Sequence, residues 1–145
     1  MTVPMRDRIE IRKRLPASPE AVFDAWTDPA SLAAWMTPVG RAQVELDLRI
    51  GGTFRIVMIG EGREIEHTGR YLEIDPPRRL VFTWQSPYTG RAPSRVTLTV
   101  ARAGSTSELT LVHEELPPDA GISHEGGWSQ ILERLAGHLA PSTER

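Results

Sequence analysis

Trp128-Ser129-Gln130-Ile131-Leu132-Glu133-Arg134-Leu135-Ala136-Gly137-His138-Leu139 is the stretch on which the fold turns. Trp128, Ile131, Leu132, Leu135, Ala136 and Leu139 recur at helical spacing and form one continuous apolar stripe, with Ser129, Gln130, Glu133 and Arg134 opposite. A helix of this kind has to lay its stripe on an apolar surface. The rest of the chain must supply that surface.

Upstream, the period of the apolar residues is 2. Val44, Leu46 and Leu48 alternate with Glu45, Asp47 and Arg49 before Gly51-Gly52 turns the chain. Strands are then predicted over Thr53 to Ile59 (Phe54, Ile56 and Met58 on one face), Glu64 to Asp75, and Leu80 to Trp84 (Leu80, Phe82 and Trp84 together). Arg95 to Ala101 sets Val96, Leu98 and Val100 against Thr97 and Thr99, and Glu108 to His113 puts Leu109, Leu111 and His113 on one side. Pro76-Pro77, the Ser86 to Pro93 loop and Ala103-Gly104-Ser105 separate these strands as antiparallel connections do. One sheet with a dry and a wet face accounts for the pattern, and the dry face is what the helix needs.

The N-terminal part completes the order. Arg8 to Leu15 alternates apolar and charged residues as a strand, and Pro16 stops it. Ser18-Pro19-Glu20 then gives a helix a hydroxyl cap, a proline in its first turn and an acid beside it. Asp28-Pro29 repeats the punctuation and opens a second short helix carrying Leu32, Trp35 and Met36, which Pro38 ends. The predicted fold is α+β: a strand, two short helices, six strands and a long C-terminal helix, with residues 1–145 as one domain.

Composition narrows the function. The chain has 145 residues, a formal net charge of -2 and no cysteine, which excludes disulfides, thiol catalysis and cysteine-based zinc sites. Sixteen of the 17 basic residues are arginine, but they are scattered rather than clustered, so no nucleic-acid or anionic-membrane partner is expected. Met1 to Glu10 shows no leader, and the longest aliphatic run, Ile56-Val57-Met58-Ile59, is far short of a membrane span. A soluble cytoplasmic protein is the resulting expectation. No Gly-x-Ser-x-Gly, phosphate loop or His-Glu-x-x-His occurs, and no pair of histidines has metal-site spacing, so neither a metal nor a cofactor is expected. Glu114-Glu115, as neighbours on a strand, are read as pointing to opposite faces and solvated.

Several motifs in this order resemble the bacterial proteins related to the activator of Hsp90 ATPase (AHSA1-like), within the START-like (SRPBCC) helix-grip superfamily. They are Ser18 to Pro29, Leu32 to Pro38, Gly51-Gly52-Thr53-Phe54-Arg55, Gly69 to Trp84 and Gly127-Trp128. The likeness covers roughly Arg8 to Leu139. Met36 departs from it, since many relatives have a second consecutive Trp there. The resemblance implies a curved antiparallel sheet of six or seven strands around the long C-terminal helix, with a cavity between helix and concave face.

Within that architecture the expected ligand wall is Trp35, Met36, Phe54, Met58, Phe82, Trp84, Trp128, Ile131, Leu132 and Leu135, with Trp26 in the core. Large aromatic surfaces suit an apolar or aromatic ligand, and methionines suit a deformable wall. His67, Tyr71 or His113 would be the polar anchor. On the Glu64 to Asp75 strand, Ile65, His67, Gly69, Tyr71 and Glu73 share one face if the alternation is unbroken, while a bulge near Gly69 would reassign half of them. Gly126-Gly127 at a helix start suggests close approach to the sheet, room for a ligand beside Trp128, or a flexible loop-to-helix junction.

Three functions follow as expectations. The first is non-enzymatic binding of a small hydrophobic or aromatic molecule in the cavity. The second is a cyclase- or hydrolase-like enzyme using His67 with Tyr71 for proton transfer, which requires both in one cavity. The third, implied by the resemblance alone, is a co-chaperone or other protein-interaction role. The eukaryotic activator has a separate N-terminal domain for which this length leaves no room, so ATPase activation is not carried over. A homodimer is compatible with the superfamily.

Overall fold

The computed structural model describes residues 7–89, 93–118 and 120–140. The first residues of the stretch read for a leader and the tip of the Ser86 to Pro93 loop lie outside them. The chain runs β1 (Asp7–Leu15), α1 (Pro19–Thr27), α2 (Pro29–Trp35), β2 (Arg41–Leu46), β3 (Thr53–Gly60), β4 (Arg63–Asp75), β5 (Arg79–Trp84), β6 (Ser94–Ala103), β7 (Thr106–Leu116) and α3 (Gly121–Leu139). The strands form one curved seven-stranded sheet in the order β1-β7-β6-β5-β4-β3-β2, every neighbouring pair antiparallel. Helix α3 buries Trp128, Ile131, Leu132 and Leu135, and these join the sheet residues in one apolar cluster. Each such side chain contributes roughly 1.5–3 kcal/mol by leaving water. The α+β helix-grip architecture read from the sequence is the one observed.

The two short helices are joined without a spacer. Ser18 Oγ accepts the Ala21 N–H at 3.2 Å to open α1. Asp28 closes α1, giving its N–H to the Asp24 carbonyl, and opens α2, its carboxylate accepting the Ser31 N–H at 2.9 Å. One residue thus satisfies groups at both helix ends, which fixes the angle between them.

Strand β4 carries the curvature. Residues 63–70 pair with β3, and from Tyr71 the strand pairs with β5. Tyr71 lies opposite Phe82 and Glu73 opposite Val81, so Leu72 is the extra residue of a bulge and is turned outward, 42% exposed. Ile74 thereby returns to the inner face. The bulge sits beyond Gly69, leaving His67 and Tyr71 both buried. Gly69 has another reason: a Cβ there would lie 2.0 Å from the Thr83 carbonyl oxygen and 2.3 Å from the Phe54 ring.

Three local expectations are corrected. Leu48 is not on the dry face; β2 ends at Leu46, the Gly52 N–H closes a turn onto the Arg49 carbonyl at 2.8 Å, and Leu48 is 41% exposed. Helix α3 begins at Gly121, so Gly126 and Gly127 lie inside it rather than at its start. Glu114 and Glu115 keep contact with solvent but are not simply on opposite faces, because a positive φ of 63° at Glu115 breaks the alternation and Arg95 reaches both, at 3.4 and 3.3 Å.

Candidate functional site

A cavity of about 430 Å³ opens between α3 and the sheet. That is within the range of small-molecule sites. Its floor is Met58 of β3, Ile65 and His67 of β4, Trp84 of β5, and Trp128 and Ile131 of α3. Its mouth is formed by Thr37 to Val39 after α2, Glu61 and Arg63 at the β3–β4 turn, Ser86 and Tyr88 after β5, and Ser123 and His124 in α3. Gly127 also lines it, and nothing lies within 4 Å of where its Cβ would be. A glycine inside a helix costs roughly 1 kcal/mol relative to alanine, and at Gly127 the gain is space beside Trp128. Nothing in the structure explains Gly126.

Trp128 is held by a buried relay. Its indole Nε1–H donates to His113 Nδ1 at 2.9 Å, and His113 Nε2 is 2.7 Å from Ser94 Oγ. Indole can only donate, so Nδ1 bears the lone pair and Nε2 bears the proton. Ser94 accepts that proton's hydrogen bond and donates its own to the Trp84 carbonyl at 2.6 Å. Burial, reinforced by nearby His124, pushes the His113 pKa down to about 3, so the imidazole is neutral and both nitrogens are occupied. His113 positions the wall and has no nitrogen left for a ligand.

His67 differs. It is 7% exposed, lines the cavity, and lies 4.8 Å from the Trp84 ring at 34°. Its Nδ1 is buried without a hydrogen-bond partner. Burial dominates in pushing its pKa down to about 4, against hydrogen bonding of the ring to the backbone at Ile56 and Ile65, so this ring is also neutral near pH 7.

The mouth is braced by polar contacts. Arg63 Nη2 donates to the Tyr88 hydroxyl at 2.9 Å, and His124 Nδ1 donates to the Ala120 carbonyl at 2.9 Å. Thr37 Oγ1 donates to the Val39 carbonyl at 2.6 Å. Arg134, on the face of α3 read as merely polar, donates to the carbonyls of Thr37 at 2.8 Å, Gly40 at 3.3 Å and Ala34 at 3.4 Å. One guanidinium therefore ties the α2–β2 segment to the helix.

Of the wall expected from sequence, Met58, His67, Trp84, Trp128 and Ile131 meet at this cavity. Met36, Phe54, Tyr71 and Phe82 instead surround a separate void of about 10 Å³, also reached by Trp84, which is the size of a single water at most. Burial pushes the Tyr71 pKa up to about 12. Trp35, Leu132 and Leu135 are packed in the core, Trp35 edge-on to Trp26 with ring centroids 4.6 Å apart. His67 and Tyr71 share a strand face but open onto different spaces. Loop residues at the mouth (Thr37, Ser86, Tyr88) and Arg63 beside the turn carried no periodic signal, because side-chain direction in turns is not set by spacing. Gly127 did carry one, as a glycine beside Trp128. Among the described residues no group of three His, Asp or Glu could hold a metal ion, and no helix is long and apolar enough to cross a membrane.

The profile of the family described as Activator of Hsp90 ATPase homolog 1-like protein matches residues 16–140. Protein CV1439 from Chromobacterium violaceum is similar in structure, with 30% identity over 94% of this chain and 99% of that one and a TM-score of 0.79. The AHSA1 (SPO3351) protein from Silicibacter pomeroyi is 29% identical over 92% of this chain and 97% of that one, with a TM-score of 0.75. CalU16 from Micromonospora echinospora is 29% identical over 94% of this chain and 78% of that one, with a TM-score of 0.73. No curated protein matches the chain.

Proposed function

The chain belongs to the family of Activator of Hsp90 ATPase homolog 1-like proteins, and from that premise we propose that it binds a small hydrophobic or aromatic molecule in the cavity between α3 and the sheet. The observation that carries the reading is the 430 Å³ cavity floored by Met58, Trp84, Trp128 and Ile131, beside which an α-helix keeps a glycine, Gly127. A plain core would gain stability by filling that space. A ligand that fills it would recover the same contacts.

The enzymatic reading has less to support it, since proton transfer by His67 with Tyr71 requires one shared cavity and the two line different spaces. The ligand reading is tested by titrating the protein with the neutral probe N-phenyl-1-naphthylamine while following the four indole N–H resonances. Saturable shifts of Trp84 and Trp128, with Trp26 and Trp35 little changed, are expected. Shifts spread evenly over all four, or none, would contradict it.

A further inference from the structure

The interior of the cavity has little to offer a polar group. Thr37 is committed, its hydroxyl proton given to the Val39 carbonyl and its own carbonyl taken by Arg134. His67 Nδ1 is sealed from solvent, and the floor around it is Met58, Ile131 and the indoles of Trp84 and Trp128, whose ring centroids are 5.1 Å apart. The polar part of a ligand is therefore met at the mouth.

The mouth carries two donors on ordered turns. Gly60 pairs with Arg63 across a two-residue hairpin turn in which Glu61 and Gly62 have φ of 55° and 74°, and this sets Arg63 at the start of β4. Tyr88 is placed by a second turn: Ser86 Oγ accepts the Tyr88 N–H at 3.1 Å, while Thr89 Oγ1 accepts the Ser86 N–H at 3.0 Å and donates to the Ser86 carbonyl at 3.1 Å. Ser86 and Thr89 are buried beneath it, whereas Tyr88 is 48% exposed. Arg63 Nη2 donates to the Tyr88 hydroxyl at 2.9 Å, and both residues line the cavity. That bond uses an oxygen lone pair, so the phenol keeps its proton to give and the guanidinium keeps its other N–H groups. Arg55, Arg78, Arg79 and Arg95 each pair with a carboxylate, but among the described residues no carboxylate pairs with Arg63.

Resting on the cavity-binding reading above, we infer that the ligand is an amphipathic monocarboxylate: its aromatic body lies against Trp84 and Trp128, and its carboxylate accepts from Arg63 and Tyr88 at the mouth. A carboxylate matches the planar donor fork of a guanidinium. Held at the mouth it stays partly hydrated, which avoids the cost of burying an anion. Glu61, on the same turn as Arg63, adds a negative charge to the lining and so disfavours a head group that carries two.

The test compares probes with one naphthyl body and different heads on the full chain at neutral pH and low salt: 2-naphthylacetate, 2-naphthylacetamide and 2-(2-naphthyl)ethylammonium. Affinity is read from the Trp84 and Trp128 indole resonances. The acid is expected to bind about fivefold tighter than the amide, the worth of a partly exposed charged pair, and the ammonium weaker than the amide. Raising the salt to about 1 M should remove most of the acid's advantage. Arg63→Gln should shrink it to less than about twofold and leave amide binding unchanged, and Tyr88→Phe should remove part of it. Equal affinity of acid and amide, tightest binding by the ammonium, or an acid advantage that persists in Arg63→Gln overturns the carboxylate inference and leaves the cavity reading intact. So does failure of the acid to bind where N-phenyl-1-naphthylamine binds. Failure of every probe, N-phenyl-1-naphthylamine included, overturns the cavity reading itself, and the inference with it.

Discussion

The indole Nε1–H of Trp128 and Nδ1 of His113 are 2.9 Å apart, and this bond joins the C-terminal helix to the last strand inside the core. It fixes the imidazole tautomer, orients the Trp128 ring over the cavity, and leaves His113 with no free nitrogen. A histidine on an apolar strand face is here a strut of the ligand wall.

Removing the strut should be costly. In His113→Leu, Trp128 keeps a buried donor without an acceptor and Ser94 keeps only its bond to the Trp84 carbonyl, so we expect destabilisation of about 2–4 kcal/mol by urea unfolding. A change below about 0.5 kcal/mol would mean that the relay does not support the fold.

Two buried neutral histidines also set a pH dependence. His67 and His113 titrate at about 4 and about 3 in the folded chain, against an ordinary 6.5. As pH falls below 6.5 the unfolded chain takes up protons that the folded chain refuses. Their contribution is therefore complete above about pH 6.5 and is lost as pH falls toward 4 and then 3. Each adds up to about 1.4 kcal/mol per pH unit to the slope between roughly pH 6 and pH 4. Urea unfolding at a series of pH values should show this slope, and it should fall by about half in His67→Phe. A flat profile from pH 7 to about 4.5 would contradict the assignment of both rings as buried and neutral.

Arg134 gives a second structural test. Because its guanidinium holds carbonyls of Ala34, Thr37 and Gly40, Arg134→Ala should speed amide exchange selectively in residues 37–40 and cost about 1–2 kcal/mol. Arg134→Lys, with no planar fork, should restore only part of this. Unchanged exchange in that segment would show that the contact does not hold the mouth.

Two glycines should respond with opposite signs. Gly69→Ala drives a methyl into the Thr83 carbonyl and the Phe54 ring, and we expect a loss of about 2–3 kcal/mol. Gly126→Ala meets nothing within 4 Å inside a helix and should gain about 0.5–1 kcal/mol. Thermal unfolding of the two variants separates them. No loss in Gly69→Ala would contradict the close packing described there, and a loss in Gly126→Ala would contradict the open helical position.

These residues also show what was legible beforehand. The α3 stripe and the strand alternations are properties of period, and period survives from sequence into structure because it is set by backbone geometry. The α+β order of elements followed from it, and the cavity implied by the family resemblance added the wall expectation that Met58, His67, Trp84, Trp128 and Ile131 meet. The division of the remaining aromatics followed from neither. Phe54, Phe82 and Tyr71 lie on the inner face as Met58 and Trp84 do, but packing beneath α1 and α2 closes their end of the sheet to a void of about 10 Å³. Arg134 and Ser86 were opaque for a different reason, since their roles depend on loop carbonyls and turn geometry. Glu115 escaped because one positive φ reverses an alternation that sequence spacing takes as unbroken.

The central claim is that the space beside Gly127 is a binding site. It is tested most directly by measuring N-phenyl-1-naphthylamine binding to the unmodified protein and to Gly127→Phe, whose added ring is directed at the lining of the 430 Å³ cavity. The account predicts one saturable site in the first and at least about a tenfold loss of affinity in the second, with Gly127→Phe folded and no less stable. Equal binding by the two proteins, or no binding by the unmodified one, would contradict it.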